Sequence, residues 1–180
     1  MQKLRRTLVL VVVCIFILGY SNSYARDWKT YKSPTGYAIR HPSHWTVTSS
    51  TGDIIAAPSQ SAFLYIMVTP ATELEAFADS YYENEIENSA SCTLIRRGRM
   101  KIADRGAISL EYTEQGAGET LKHKAYFLVD VVGYLLMFSS TKEDFDVYLS
   151  TGEKIVKSFK PIPKKEAESL WEDTEPTSAF

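Results

Sequence analysis

Ser61-Ala-Phe-Leu-Tyr-Ile-Met-Val-Thr-Pro70 runs straight into Ala71-Thr-Glu-Leu-Glu-Ala-Phe-Ala-Asp-Ser-Tyr-Tyr-Glu-Asn-Glu-Ile-Glu-Asn-Ser-Ala90, and the two halves obey different periods. The first is a continuous apolar run bounded by a serine and a proline, the pattern of a strand buried on both faces. In the second, Leu74, Phe77, Ala78, Tyr81 and Ile86 recur on one side, so a single amphipathic helix is expected to about Ala90. Thr72-Glu-Leu-Glu75 has the form of a capping box, in which hydroxyl and carboxylate would satisfy free amides at the helix start. A buried strand followed by a one-sided helix belongs to a layered domain.

Upstream, Tyr37–His41 alternates and is ended by Pro42, Trp45–Thr48 reads as the next strand, and Ile54–Ala57 as a third. Downstream, four strands are expected over 93–102, 106–113, 121–130 and 134–141. Gln115-Gly-Ala-Gly-Glu119 has the composition of a hairpin loop, and Asp130-Val-Val-Gly133 that of a tighter turn. Short connections between consecutive strands require antiparallel pairing. A second helix follows, capped by Thr141, with Glu143 and Asp144 at its positive end and Phe145, Tyr148, Leu149, Ile155, Val156 and Phe159 on one face. Gly152 lies on that face, where a close approach to the sheet would favour a missing side chain. Pro161 and Pro163 stop the helix. The fold class is α+β: an α/β/α sandwich with a central antiparallel sheet flanked by helices.

The ends of the chain differ from this body. Lys3, Arg5 and Arg6 precede the apolar run Leu8–Leu18, and Ser23-Tyr-Ala25 presents small residues where a signal peptidase inspects. Residues 1–25 therefore read as a secretory signal peptide, too short in its apolar run to span the bilayer comfortably. Residues 26–163 form one domain and 164–180 a charged tail. No integral membrane segment is expected after cleavage, and the protein is placed in the periplasm or outside the cell. Losing 1–25 takes three of the 20 basic residues and none of the 22 acidic ones, leaving a net charge of −5. Such a domain has no global attraction for nucleic acid or anionic lipid. The one local basic cluster, Arg96, Arg97, Arg99 and Lys101, reads as a solvated strand edge or a docking edge.

Catalytic signatures are scarce. There is no Gly-x-Ser-x-Gly elbow, phosphate loop, Gly-x-Gly-x-x-Gly turn or alternating acidic calcium loop. The pairs Glu85/Glu87 and Asp144/Asp146 lie two apart on helices and do not face each other. Cys92 is the single cysteine left after export, so it has no internal disulfide partner, and no histidine stands in a recognisable partner motif. His41 and His44 are the candidate metal ligands, with His123 or an acid as a third. Pro42-Ser43 between them is turn chemistry that needs no metal. No cofactor is expected.

Three features together carry a resemblance: Gly36-Tyr-x-Ile-x-x-Pro-x-x-Trp45, the run Ser61–Pro70 with its helix, and the closing Ile155-Val-x-Ser-Phe159. Over Trp28 to Phe159 the chain resembles the PsbP-like family, named for an extrinsic photosystem II protein and sharing its fold with a eukaryotic Ran-binding nuclear-import factor. The resemblance implies an antiparallel sheet between helices, no catalytic triad and no obligatory cofactor. It also implies action by docking onto larger assemblies, which in some members helps retain calcium and chloride at the oxygen-evolving centre. This chain lacks the lipidation cysteine of cyanobacterial members and the transit peptide of plant ones, so no photosystem role is carried over. The Pro42-x-x-Trp45 corner belongs to the structural signature. The function expected is a non-enzymatic exported accessory or binding protein that docks on an envelope complex. The alternative is a binder of lipid or another apolar molecule, with a pocket between sheet and helix lined by Tyr65, Tyr81, Tyr126 and Tyr134.

Overall fold

The computed structural model describes residues 27–162; the expected signal peptide, 1–25, and tail, 164–180, lie outside the described residues. Strands are numbered β1 (Trp28–Ser33), β2 (Tyr37–Pro42), β3 (Thr46–Ser49), β4 (Asp53–Ala56), β5 (Ala62–Thr69), β6 (Cys92–Ile102), β7 (Arg105–Gln115), β8 (Thr120–Val129), β9 (Gly133–Thr141) and β10 (Lys160–Pro161). The helices are α1 (Leu74–Tyr81) and α2 (Phe145–Lys157). Seven strands form one antiparallel sheet in the order β3-β4-β5-β9-β8-β7-β6. A second, three-stranded sheet, β1-β2-β10, was not foreseen: β1 alternates poorly and β10 has only two residues, so neither carries a readable period.

The period of two along each strand separates two cores. Leu64 and Ile66 of β5, Tyr126 and Leu128 of β8, and Tyr134, Leu136 and Phe138 of β9 face α2 and the small sheet. There they pack with Tyr37, Ile39, Phe145, Ile155, Val156 and Phe159. The intervening Ala125, Phe127 and Leu135 face α1 and pack with Ile108, Leu110, Ala78 and Ile86. The helices thus cover opposite faces of the large sheet, as the sandwich requires. Gly152 sits where α2 touches this sheet: a Cβ there would lie 2.6 Å from Cδ2 of the buried Phe138.

Several local expectations need correction. β5 is fully buried on the α2 side only, and Phe63, Tyr65 and Met67 on its other face are half-covered, because α1 packs on β7 and β8 instead. No capping box forms, since the helix begins one residue late for it: the N-cap is Glu73, without a side-chain cap. Glu75 pairs instead with Arg99 at 3.0 Å. The α-helix also ends at Tyr81, and Tyr82–Glu87 is a π-helical turn, with Asn88 N–H donating to Glu83 O at 3.2 Å. The five-residue step from Tyr81 to Ile86 needs this wider turn to keep both side chains on the sheet. At α2 the N-cap is Asp144, but Thr141 Oγ1 still accepts the Asp144 amide at 3.3 Å. α2 stops at Ser158, before Pro161, which joins β10.

Candidate functional site

The corner holding both candidate metal ligands is a β-turn. Trp45 N–H donates to Pro42 O at 3.0 Å, and Trp45 then buries its ring against Tyr148 of α2. His41 is buried, with Nδ1 2.9 Å from Pro42 O, whereas His44 is exposed on the turn. Burial, with the charge of Lys29 adding to it, holds the His41 pKa below its ordinary value. His123 is on β8 facing the α1 side of the large sheet, stacked 4.7 Å from Tyr112, with Nδ1 2.8 Å from Ser139 Oγ. Burial lowers its pKa as well, against the opposing charge of Glu114. The large sheet therefore stands between His123 and the small sheet that carries His41. Among the described residues no three of His, Cys, Asp and Glu come together as a metal ligand set.

Arg96, Arg97, Arg99 and Lys101 lie on β6, the strand at one end of the large sheet. A bulge between Leu94 and Arg96 leaves Ile95 52% exposed and turns the strand so that Arg97, Arg99 and Lys101 share the α1 side. Arg97 reaches Asp79 at 2.6 Å and Arg99 reaches Glu75 at 3.0 Å. Arg96 points to the other face, 3.0 Å from Glu111, which Lys122 approaches at 2.9 Å. Burial opposes ionisation of Glu111, but Lys122 and Arg96 outweigh it and keep the carboxyl below its usual range. Three of the four edge cations are therefore in ion pairs within the chain, yet 67%, 41% and 75% of the Arg96, Arg97 and Arg99 side chains remains exposed.

Nothing in the sequence marked Asp53. It is 5% exposed and lies where the small sheet meets β3 and β4. Tyr31 (3.0 Å) and Ser49 (2.6 Å) donate to one carboxylate oxygen, and Ser33 (2.6 Å) and Tyr37 to the other. Burial alone would raise its pKa, but the four hydroxyl donors outweigh burial and hold it below the usual value. Burial and the bond to Asp53 push the Tyr37 hydroxyl upward. This is an electrostatic rivet between the two sheets, in which the ionised carboxylate and the neutral hydroxyls are the favoured forms. A lone acid after Ser-Thr-Gly gave no hint of it, because its partners lie up to 22 residues away.

The four tyrosines do not line one pocket. Tyr126 and Tyr134 are in the core under α2, whereas Tyr81 is in the core under α1, its hydroxyl 2.8 Å from that of Tyr112. Tyr65 alternates with the α2-facing Leu64 and Ile66, so it too lies on the α1 side. Cys92 is half-buried at the start of β6, its Sγ 3.9 Å from Ser91 Oγ.

No protein-family model and no curated protein matches the sequence. Solved structures match the fold. The cyanobacterial PsbP of Synechocystis, CyanoP, aligns with TM-score 0.54 and 13% identity over 78% of this chain and 96% of that one. A Pseudomonas aeruginosa protein of unknown function aligns with TM-score 0.53 and 14% identity, over 77% and 99%. LpqN of Mycobacterium tuberculosis, involved in cell envelope biogenesis, aligns with TM-score 0.54 and 12% identity, over 76% and 91%. The layered α+β architecture built above from β1 to β10 is the PsbP-like fold.

Proposed function

We propose that the protein is an exported, non-enzymatic accessory factor that docks on a protein complex of the cell envelope through the β6 edge. The observation that carries this reading is that edge: eleven residues long, with an exposed Ile95 on its bulge and four cations along it. Like charges on an edge repel a second copy of the same strand, while an acidic partner segment can still add to it. The fold shared with CyanoP and with LpqN, a protein of envelope biogenesis, supports an accessory role, and the signal-like residues 1–25 support export. The non-enzymatic reading draws support from the sequence, in which no nucleophile stands in a recognisable motif with a base.

The test is site-specific photocrosslinking in the host cell. A crosslinker at Ile95 is expected to capture one envelope protein reproducibly, and Arg99→Glu with Lys101→Glu to abolish the capture. The same capture from Val131, exposed on the β8–β9 turn, would show that the edge is not the docking surface.

A further inference from the structure

The outer face of the small sheet collects cations that are scattered along the sequence. Tyr37, Ile39 and His41 of β2 point inward, so Ala38 and Arg40 point outward. Register then places Trp28, Thr30 and Lys32 of β1 and Lys160 of β10 on that outer side. The end of α2 adjoins it: Arg40 N–H donates to Ser158 Oγ at 2.8 Å, across 118 residues of sequence. Between them is an open cleft of about 200 Å³ lined by Trp28, Arg40, Lys154 and Ser158, with two cations, an indole, a hydroxyl and no acid. Glu153, the neighbouring acid on α2, turns away to Lys124 at 2.7 Å. Among the described residues neither Arg40 nor Lys154 has an ion-pair partner, in contrast to the arginines of β6. Five acids lie on the opposite side, on α1 and its π turn, at Glu75, Asp79, Glu83, Glu85 and Glu87, while Asp27 precedes Trp28 and Asp144 and Asp146 stand at the start of α2, the other end from Lys154.

We propose that this face binds the surface of an anionic phospholipid bilayer, with headgroup phosphates at Arg40 and Lys154 and Trp28 at the interface. Two features select a membrane surface. The face is a three-stranded sheet whose described strands carry no acid on the outer side. Two of its cations, Arg40 and Lys154, share a cleft with the half-buried indole of Trp28, the combination favoured at the headgroup level. Attraction is local: beyond roughly 8 Å in physiological salt the acids of the far side are screened, so net charge does not decide it. The proposal adds a lipid surface to the envelope partner and uses a different face from β6, so either can fail alone.

The experiment is flotation of the protein, as its host processes it, with phosphatidylcholine vesicles lacking or containing about 30% phosphatidylglycerol. Binding is expected only to the anionic vesicles and to fall as salt rises. Each neutralised cation should weaken it about fivefold, so Arg40→Gln with Lys154→Gln loses about 25-fold. Both sites are on the surface, and an unchanged thermal melt checks that the variant is folded. Arg97→Gln with Arg99→Gln should leave flotation unchanged. Equal flotation with both vesicle types, or an unaltered Arg40/Lys154 variant, would overturn the proposal. So would displacement by millimolar inorganic phosphate at constant ionic strength, which would assign the cleft to a free anion.

Discussion

Replacing Asp53 by asparagine keeps the side chain's volume and removes its charge. In the wild type four hydroxyls donate to this carboxylate, three of them at 2.6–3.0 Å, and the Ser33 and Tyr37 side chains are fully enclosed. Hydrogen bonds to a charged group contribute about 1.5–3 kcal/mol each, but they do not add in a shared network. Tyr31 and Ser49 can still bond each other, at 2.9 Å, and Ser33 can bond Thr35, at 2.9 Å. The Tyr37 hydroxyl, which also has the Ser33 hydroxyl beside it, would face an amide that is a weaker acceptor. The expected cost of Asp53→Asn is therefore about 2–4 kcal/mol. Urea denaturation at pH 7 should show it as a lowered midpoint with an unchanged slope.

The pH dependence sharpens the test. The folded carboxyl titrates below its ordinary value of 3.8. Its stabilisation is thus complete above that value and is lost as pH falls through the folded pKa. The gap between wild type and Asp53→Asn should be constant from pH 7 to 5 and narrow below pH 4. Glu111 and Glu153 are also depressed, but they are present in both proteins and cancel. Tyr37→Phe should cost less in the Asp53→Asn background than in the wild type. A variant within about 0.5 kcal/mol of wild type, or a gap that stays constant into acid, would refute the rivet.

Other outcomes follow from the same geometry. Gly152→Ala should destabilise by about 1–3 kcal/mol in urea melts, although alanine favours the helix, because its Cβ meets the enclosed Phe138 ring at 2.6 Å. The β6–β7 hairpin turns on Ala103 and Asp104, both at positive φ (51° and 62°). Asparagine followed by glycine suits such a turn, so the double change Ala103→Asn with Asp104→Gly should raise the melting temperature, and a fall would contradict the turn assignment. His41 and His123 are held below the ordinary histidine value of 6.5, so they favour the fold fully above it. That contribution is lost as pH falls from about 6.5 toward the folded values, and His123→Gln should flatten part of the slope seen in melts between pH 7 and 5. Excess zinc should leave the melting temperature unchanged, because His44 is exposed on a turn and His41 Nδ1 lies against Pro42 O. A shift abolished by His44→Ala would restore the metal reading.

What the sequence determined was everything carried by a local period. The strand Ala62–Thr69, the meander from β6 to β9, the two helices and the contact at Gly152 are all legible from local pattern, although the continuous apolar run did not tell which face of Ala62–Thr69 is fully buried. Even the π turn left a trace in the five-residue step to Ile86. The Pro42–Trp45 turn was legible too, because its chemistry is contained in four residues. Tertiary structure alone decided what depends on partners distant in the chain. The small sheet exists because β10 returns to β2 after more than a hundred residues, and no two-residue strand has a period to read. Asp53 became a hub only when β1, β2 and β3 brought four hydroxyls to it. Charge shows the same division. Arg96 to Lys101 stood out because they adjoin in sequence, and folding matched three of them with acids. Arg40, Lys154 and Lys160 drew no notice because they are far apart, and folding gathered them toward one face, with Trp28 at its corner. Composition fixes how many charges a chain carries, but only the register of strands and the packing of a helix fix which of them remain together in water.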